Sequence, residues 1–345
     1  MTAGRGTTRS GAAGGPARHI PVLLSEALET LAPRDGGVYL DGTFGAGGYS
    51  QALLEAADCI VIAIDRDPSA IRAGEALARK FDGRLRLVEG SYAEMERIVA
   101  EHDIETVDGI ALDLGVSSMQ IDTPERGFSF QADGPLDMRM SGKGQSAADA
   151  VNSLSERDLA EIIAVLGEER RARAIARAIV NARETKPFER TGQLADLVSG
   201  VLGRRPGAAR HPATRTFQAL RLYINGELAE LANGLLAAER LLREGGRLVV
   251  VTFHSLEDRI AKRFFSHCAK PAPGPSRHRP PIDEPASPPS FRLINRRPLR
   301  PAAQELERNP RARSARLRAA ERTSAPPLAP HAASLGLPRV AESGI

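Results

Sequence analysis

Several carboxylates, a glycine-rich turn and one histidine stand directly after short apolar runs in this chain. The turn Asp41-Gly42-Thr43-Phe44-Gly45-Ala46-Gly47-Gly48 follows Val38-Tyr39-Leu40 and leads into a helical pattern. Glycines let a backbone take positive φ or approach a ligand closely, and the helix start beyond them offers unpaired N–H groups and a positive dipole end. A polar cofactor is expected there. A dinucleotide fingerprint needs glycine at its first, third and sixth positions, and counting from Gly45 the sixth is Ser50. Asp41 is also a poor neighbour for a pyrophosphate. It suits a cofactor whose near end is a zwitterionic amino acid with an ammonium group, as in S-adenosyl-L-methionine.

Asp65 ends the run Cys59–Ile64, 20 residues after Gly45, where an acidic side chain at a strand tip grips a ribose diol with two hydrogen bonds. Tyr92, after the next run, is placed to pack against an adenine or to sit as an aromatic at the core's edge. Asp113 closes Gly109–Leu112 and opens Leu114-Gly115-Val116-Ser117-Ser118-Met119-Gln120, whose small residues admit a flat substrate. His254 follows Arg247–Phe253 and points toward the same crevice, either to react or to cap the helix after it.

The elements that must position these groups alternate. Val38–Leu40, Cys59–Asp65, Leu85–Val88 and Gly109–Leu114 read as strands, with helices between them, notably Pro68–Lys80. Uninterrupted apolar runs mark strands covered on both faces, and strict alternation implies right-handed crossovers in a doubly wound sheet with its ligand crevice at the strands' carboxyl ends. From about Gln120 a Gly/Pro/Asp/Ser loop gives way to purely helical periodicity, with Ser155 and Thr191 as caps, so residues 126–215 are expected to be a helical insertion. Phe217–Leu242 reads as one long helix, Arg247–Phe253 as a buried strand, Ser255–Asp258 as a cap, and Phe291–Leu299 with Ser314–Arg322 as closing strands. The expected organisation is a disordered tail over 1–18, a sheet domain over 19–125 and 216–322 with a mobile Pro/Ser-rich loop at 271–290, and a disordered tail over 323–345.

The 345 residues suit one domain with an insertion, and 42% hydrophobic content supports a core, built from aliphatics because aromatics are only 4% and Trp is absent. Cys59 and Cys268, the only cysteines, are too few for a disulfide framework or a zinc site and fit a reducing cytoplasm. No run reaches the ~18 apolar residues of a membrane span. A net charge of +4, with basic residues dense in the second half, permits a nucleic-acid partner.

The segments Asp41–Gly48, Ala63–Pro68, Leu112–Ser118, Glu125–Phe130, Gly134–Met140, Gly167–Arg170, His211–Arg221 and Phe253–Arg259 together resemble the MraW family of bacterial 16S rRNA methyltransferases, over about His19 to Arg322. The resemblance implies a class I, Rossmann-like S-adenosylmethionine-dependent methyltransferase sheet with an inserted all-helical domain, and methyl transfer to the exocyclic N4 of a cytidine in the decoding region of 16S rRNA, within the small ribosomal subunit. It implies Gly47, Gly48 and Tyr49 in the cofactor turn, Asp65 on the ribose, Tyr92 near the base, and Asp113 and Gln120 around the methionine end and reaction centre. The family pattern has His and Pro where this chain has Tyr49 and Met119, so no role needing an imidazole carries over to position 49. For the proton acceptor Asp113 ranks first and His254 second. Arg204, Arg205, Arg210, His211, Arg215 and Arg221 offer a basic ridge for phosphates, with Arg139 and Lys143 further candidates. Two alternatives stay open: methylation of DNA or another RNA, and an RNA-binding assembly factor with a vestigial pocket. The intact set Asp41, Gly45, Gly47, Asp65 and Asp113 argues against the second.

Overall fold

A computed structural model describes residues 21–203, 211–269, 288–328 and 331–341. The expected tail over 1–18, residues 271–287 of the expected loop, and Arg204, Arg205 and Arg210 lie outside them. The chain begins with α1 (Leu24–Leu31) and then alternates as read: β1 (Val38–Asp41), α2 (Gly48–Ala56), β2 (Ile60–Asp65), α3 (Pro68–Lys80), β3 (Leu85–Glu89), α4 (Met95–Ala100) and β4 (Val107–Asp113). After β4 come α5 (Ser118–Ile121), α6 (Ala147–Ser153), α7 (Glu156–Val165), α8 (Ala172–Thr185), α9 (Thr191–Leu202), α10 (Thr214–Asn225) and α11 (Glu227–Leu241). Then β5 (Leu242–Thr252), α12 (Ser255–Cys268), β6 (Phe291–Leu293), α13 (Ala303–Arg308) and β7 (Arg316–Arg322) complete the order.

The seven strands lie in the order β3-β2-β1-β4-β5-β7-β6. The first five pair in parallel, whereas β7 runs antiparallel to both β5 and β6. Both faces are covered, so neighbouring residues of one strand enter opposite cores: Ile62, Ile64, Ile110 and Leu112 pack on one side, and Val61, Ala63 and Ala111 on the other. That is why the strand sequences are uninterrupted apolar runs. Between β1 and β4 the winding reverses, opening a crevice beyond the carboxyl ends of these strands. Asp41, Asp65 and Asp113 are the last residues of β1, β2 and β4.

A third apolar cluster joins α6, α7, α8, α9 and the start of α10 through Leu159, Ile175, Leu194, Val198, Phe217 and Leu220. Helix α10 runs past residue 215 with two buried faces: Phe217 and Leu220 join the helical cluster while Ala219 and Leu222 join the sheet's. No helix among the described residues is long and apolar enough to cross a membrane.

Four local expectations are corrected. The single helix over 217–242 is broken at Gly226, whose φ of 59° caps α10 and starts α11. Thr191 and Ser255 are first helical residues, not caps; Arg190 and His254 hold the cap positions. β6 stops at Leu293 because the Asn295 side chain takes over the ladder, donating to the Leu317 carbonyl at 3.1 Å and accepting from the Ala319 N–H at 2.9 Å. Residues 331–341 are not loose, since Leu335 and Ala341 are buried in the sheet's larger core.

Candidate active site

The glycine turn is held from below. Asp41 is only 1% exposed. Its Oδ1 accepts from the Thr43 N–H at 3.2 Å and its Oδ2 from the Ser50 hydroxyl at 2.7 Å. Burial raises its pKa to about 6 against the pull of the Ser50 hydrogen bond. Ser50, where a dinucleotide site has its third glycine, is therefore committed to bracing the turn. Gly47 takes φ 79°, and a Cβ on it would lie 2.8 Å from the Phe44 ring and from Leu77. A Cβ on Gly48 would overlap the Pro21 ring. Asp41 and Gly47 shape the turn from behind the residues that line the cavity.

Gly45, Gly48, Tyr49, Asp65, Tyr92, Asp113 and Gln120 do line one cavity of about 370 Å³. Asp65 accepts from the Gly45 N–H at 2.7 Å and the Asp67 N–H at 2.8 Å, tying β2's tip to the turn, and burial raises its pKa. Each of its oxygens keeps a lone pair for a ligand. Tyr49 donates its hydroxyl to the Val22 carbonyl at 2.6 Å. Tyr92 is nearly buried, its ring against Gly42 and Gly234; a Cβ on Gly234 would press 2.5 Å from the ring. Gln120 caps α5 reciprocally with Ser117 and donates its amide to Asp67 at 2.9 Å. Asp67 also receives Arg126 at 2.7 Å, and Arg126 donates onward to the Arg139 and Met140 carbonyls. Burial pushes the Asp67 carboxyl up, but Ser69, Gln120 and Arg126 together hold it below the usual range.

Asp113 differs from every other carboxylate here. Its Oδ1 is buried and has no hydrogen-bond partner. Burial, then the nearby charges of Asp41, Glu257 and Glu305, push its pKa well above the usual range. Its N–H donates to the Thr43 hydroxyl at 2.7 Å, which fixes β4's tip against the turn. A buried, unpaired oxygen costs about 1–3 kcal/mol, and this one belongs to a residue of the cavity wall, where a ligand can satisfy it.

His254 is placed elsewhere. It is the N-cap of α12, its Nδ1 accepting from the Glu257 N–H at 3.5 Å and its Nε2 lying 3.0 Å from Glu257 Oε1. It is not among the residues that line the cavity, and its ring lies against Glu257. Glu257 does line the wall. Burial raises its carboxyl, but His254, Arg221 and the Phe253 N–H outweigh that and hold it below its ordinary value. Glu227 and Glu230, just past the break at Gly226, are further wall residues that sequence reasoning missed. Glu230 accepts from Ser91 at 2.6 Å and from Arg66 at 2.8 Å. A Gly followed by two glutamates in an apolar helix was the available signal.

Of the expected RNA-contacting residues, Arg221 is a bidentate partner of Glu227 at 2.8 and 2.9 Å beside the cavity. His211 stacks on Phe130 at 4.6 Å, and Arg215 donates to the Glu168 carbonyl at 3.1 Å. Arg139 is bound to Asp137 at 2.6 Å, while Lys143 is largely exposed and 3.7 Å from Glu89.

The wall carries Asp65, Asp113, Asp122, Glu227, Glu230 and Glu257 against Arg66, Arg308 and Arg311, an acidic excess that favours a ligand with positive charge, and a sulfonium with an ammonium meets that requirement. The doubly wound sheet with its braced glycine turn and acidic cavity wall is that of a Rossmann-like S-adenosylmethionine-dependent methyltransferase. The model of the MraW methylase family matches residues 16–323. This chain belongs to that family. It is 61% identical over 318 residues to the ribosomal RNA small subunit methyltransferase H of Parvibaculum lavamentivorans, covering 92% of this chain and 93% of that one. It is 58% identical over 326 residues to the protein of the same name from Xanthobacter autotrophicus, covering 94% and 93%.

Proposed function

We propose that this methyltransferase acts on 16S rRNA in the small ribosomal subunit, in the cytoplasm, and methylates the exocyclic N4 of a cytidine in the decoding region. The names of the relatives support the rRNA substrate. The observation that carries the choice of an amino nitrogen is Asp113, a carboxyl with an unpartnered oxygen in the cavity wall.

S-adenosylmethionine, when bound, supplies an electrophilic methyl group on a sulfonium. Asp65 would hold its ribose, Tyr92 would flank its base, and Gly45, Gly48 and Tyr49 with Gln120 would enclose its methionine end. The chain's own task is alignment and proton transfer. Cytosine N4 is a weak nucleophile because its lone pair is delocalised into the ring. Asp113 accepts one N4–H, which favours a pyramidal nitrogen, and it takes the proton released once the new C–N bond has formed. Its pKa, raised chiefly by burial, makes it a stronger proton acceptor than an exposed carboxylate. The Phe253 ring packs close to Gly115, and both face the cavity, giving a flat base an apolar wall.

Purified protein with labelled S-adenosylmethionine is expected to methylate small subunits from a strain lacking this activity, with N4-methylcytidine mapped in the decoding region by mass spectrometry. Asp113→Asn is expected to lower transfer at least ~100-fold, the lower end of the usual contribution of a positioned acid or base, with cofactor affinity within tenfold. No transfer by the wild type, or label on DNA alone, would remove the rRNA reading. A near-normal rate in Asp113→Asn would remove Asp113 from the chemistry.

A further inference from the structure

Among the described residues, unpaired positive charge gathers in a segment that sequence alone did not nominate. Residues 291–314, between the start of β6 and β7, hold seven arginines against Glu305 and Glu307, a net of +5 in a chain whose total is +4. Arg296, Arg297, Arg300, Arg308 and Arg313 are exposed and have no ion-pair or hydrogen-bond partner among the described residues. The large hydrophobic residues left exposed among the described residues, Leu293 at 37%, Ile294 at 43% and Leu299 at 38%, lie in the same segment. Charge alone is an ordinary way to blunt an edge strand such as β6. Charge interleaved with bare aliphatic side chains is not explained that way.

The segment is also anchored at the cavity. Arg308, Asn309, Pro310 and Arg311 form part of its wall. Arg311 donates to Ser118 at 2.8 Å and to Asp122 at 2.7 Å, and Glu305 accepts from the Leu23 N–H at 2.8 Å. A base methylated inside the cavity must leave its stack, and the nucleotides on either side of it stay at the rim. Residues 308–311 bring this segment to that cavity.

We propose that residues 291–314 are the docking surface for the rRNA strand flanking the target base. The free arginines meet its phosphates, and Leu293, Ile294 and Leu299 support unstacked bases. The inference rests on the rRNA reading above. A second copy of this chain is the rival occupant, and a surface of net +5 repels its own copy.

The probe is a fluorescein-labelled single-stranded RNA of decoding-region sequence, titrated against the full chain at increasing salt. The triple variant Arg296→Glu, Arg297→Glu, Arg300→Glu is expected to bind at least ~10-fold more weakly. Its slope of log affinity against log salt should be shallower by ~2, or about 0.7 for each single-strand phosphate that the protein no longer neutralises. Its S-adenosylmethionine affinity by calorimetry and its melting temperature should match the wild type. The double variant Leu293→Ser, Ile294→Ser should weaken RNA binding without changing the slope. Equal affinity and slope in the triple variant, with a wild type that binds, would overturn this surface and leave the rRNA reading standing. Failure of the wild type itself to bind RNA would overturn both. A wild type that elutes as a dimer and a double variant that elutes as a monomer with unchanged RNA binding would assign the surface to self-association instead.

Discussion

Replacing Asp41 by asparagine should make the protein more stable, although an acid at the head of a cofactor turn invites the opposite guess. The Asp41 carboxyl is buried, and its pKa is raised from 3.8 to about 6, chiefly by burial. A carboxyl raised in the folded state costs stability as pH climbs from the unfolded value to the folded one, and the cost is complete above about 6. Two units at 1.36 kcal/mol each put that cost at roughly 3 kcal/mol at pH 7.5, and linkage leaves about half of it at pH 5. Asparagine keeps both braces, because its carbonyl still accepts from the Thr43 N–H and the Ser50 hydroxyl can rotate to accept from the new amide. For a chain of this size about 3 kcal/mol corresponds to a rise of roughly 5 °C in Tm. Scanning calorimetry of cofactor-free Asp41→Asn and wild type at pH 7.5 and pH 5 tests this. A Tm equal to or below wild type at pH 7.5, or a gain that does not shrink at pH 5, would refute the claim that burial of a charge dominates here.

Other outcomes follow from the same geometry. His254→Ala should lose about 1 kcal/mol through the missing N-cap of α12 while kcat for methyl transfer stays within tenfold; a collapse of kcat at unchanged Tm would return His254 to the chemistry. Gly48→Ala should push Pro21 aside, destabilising by about 1–3 kcal/mol as overpacking does and weakening S-adenosylmethionine binding measured by calorimetry. Unchanged affinity and Tm would show that the turn tolerates a side chain. Tyr49→Phe removes the bond to the Val22 carbonyl and should cost about 1 kcal/mol in urea titration with turnover largely kept, since that hydroxyl faces Val22. A large loss of turnover at normal stability would give the hydroxyl a direct role.

The alternation of strands and helices was legible because burial on both faces of the sheet demands unbroken apolar runs, and such runs survive as a pattern in one dimension. The failed sixth glycine was legible for a local reason as well: Ser50 differs chemically from glycine whatever surrounds it. The ends of the elements were less so. Nothing in Phe217–Leu242 except Gly226 announces that one helix is two, and β6 ends early because of an asparagine side chain reaching β7, a partner distant in sequence.

For the site, the chain's order alone determined that Asp41, Asp65 and Asp113 stand at strand ends, because each follows its apolar run directly. Which of the three keeps an oxygen free of the fold's own hydrogen bonds was decided only by tertiary structure. Asp41 has Ser50 and Thr43 on its two oxygens, Asp65 has two backbone amides with lone pairs to spare, and Asp113 has an oxygen that nothing in the fold satisfies. Likewise His254 became a cap and Glu257 a wall residue through the turn into α12. Residue type and spacing are local, so the sequence could state them; whether a polar atom is already satisfied depends on what long-range packing brings beside it.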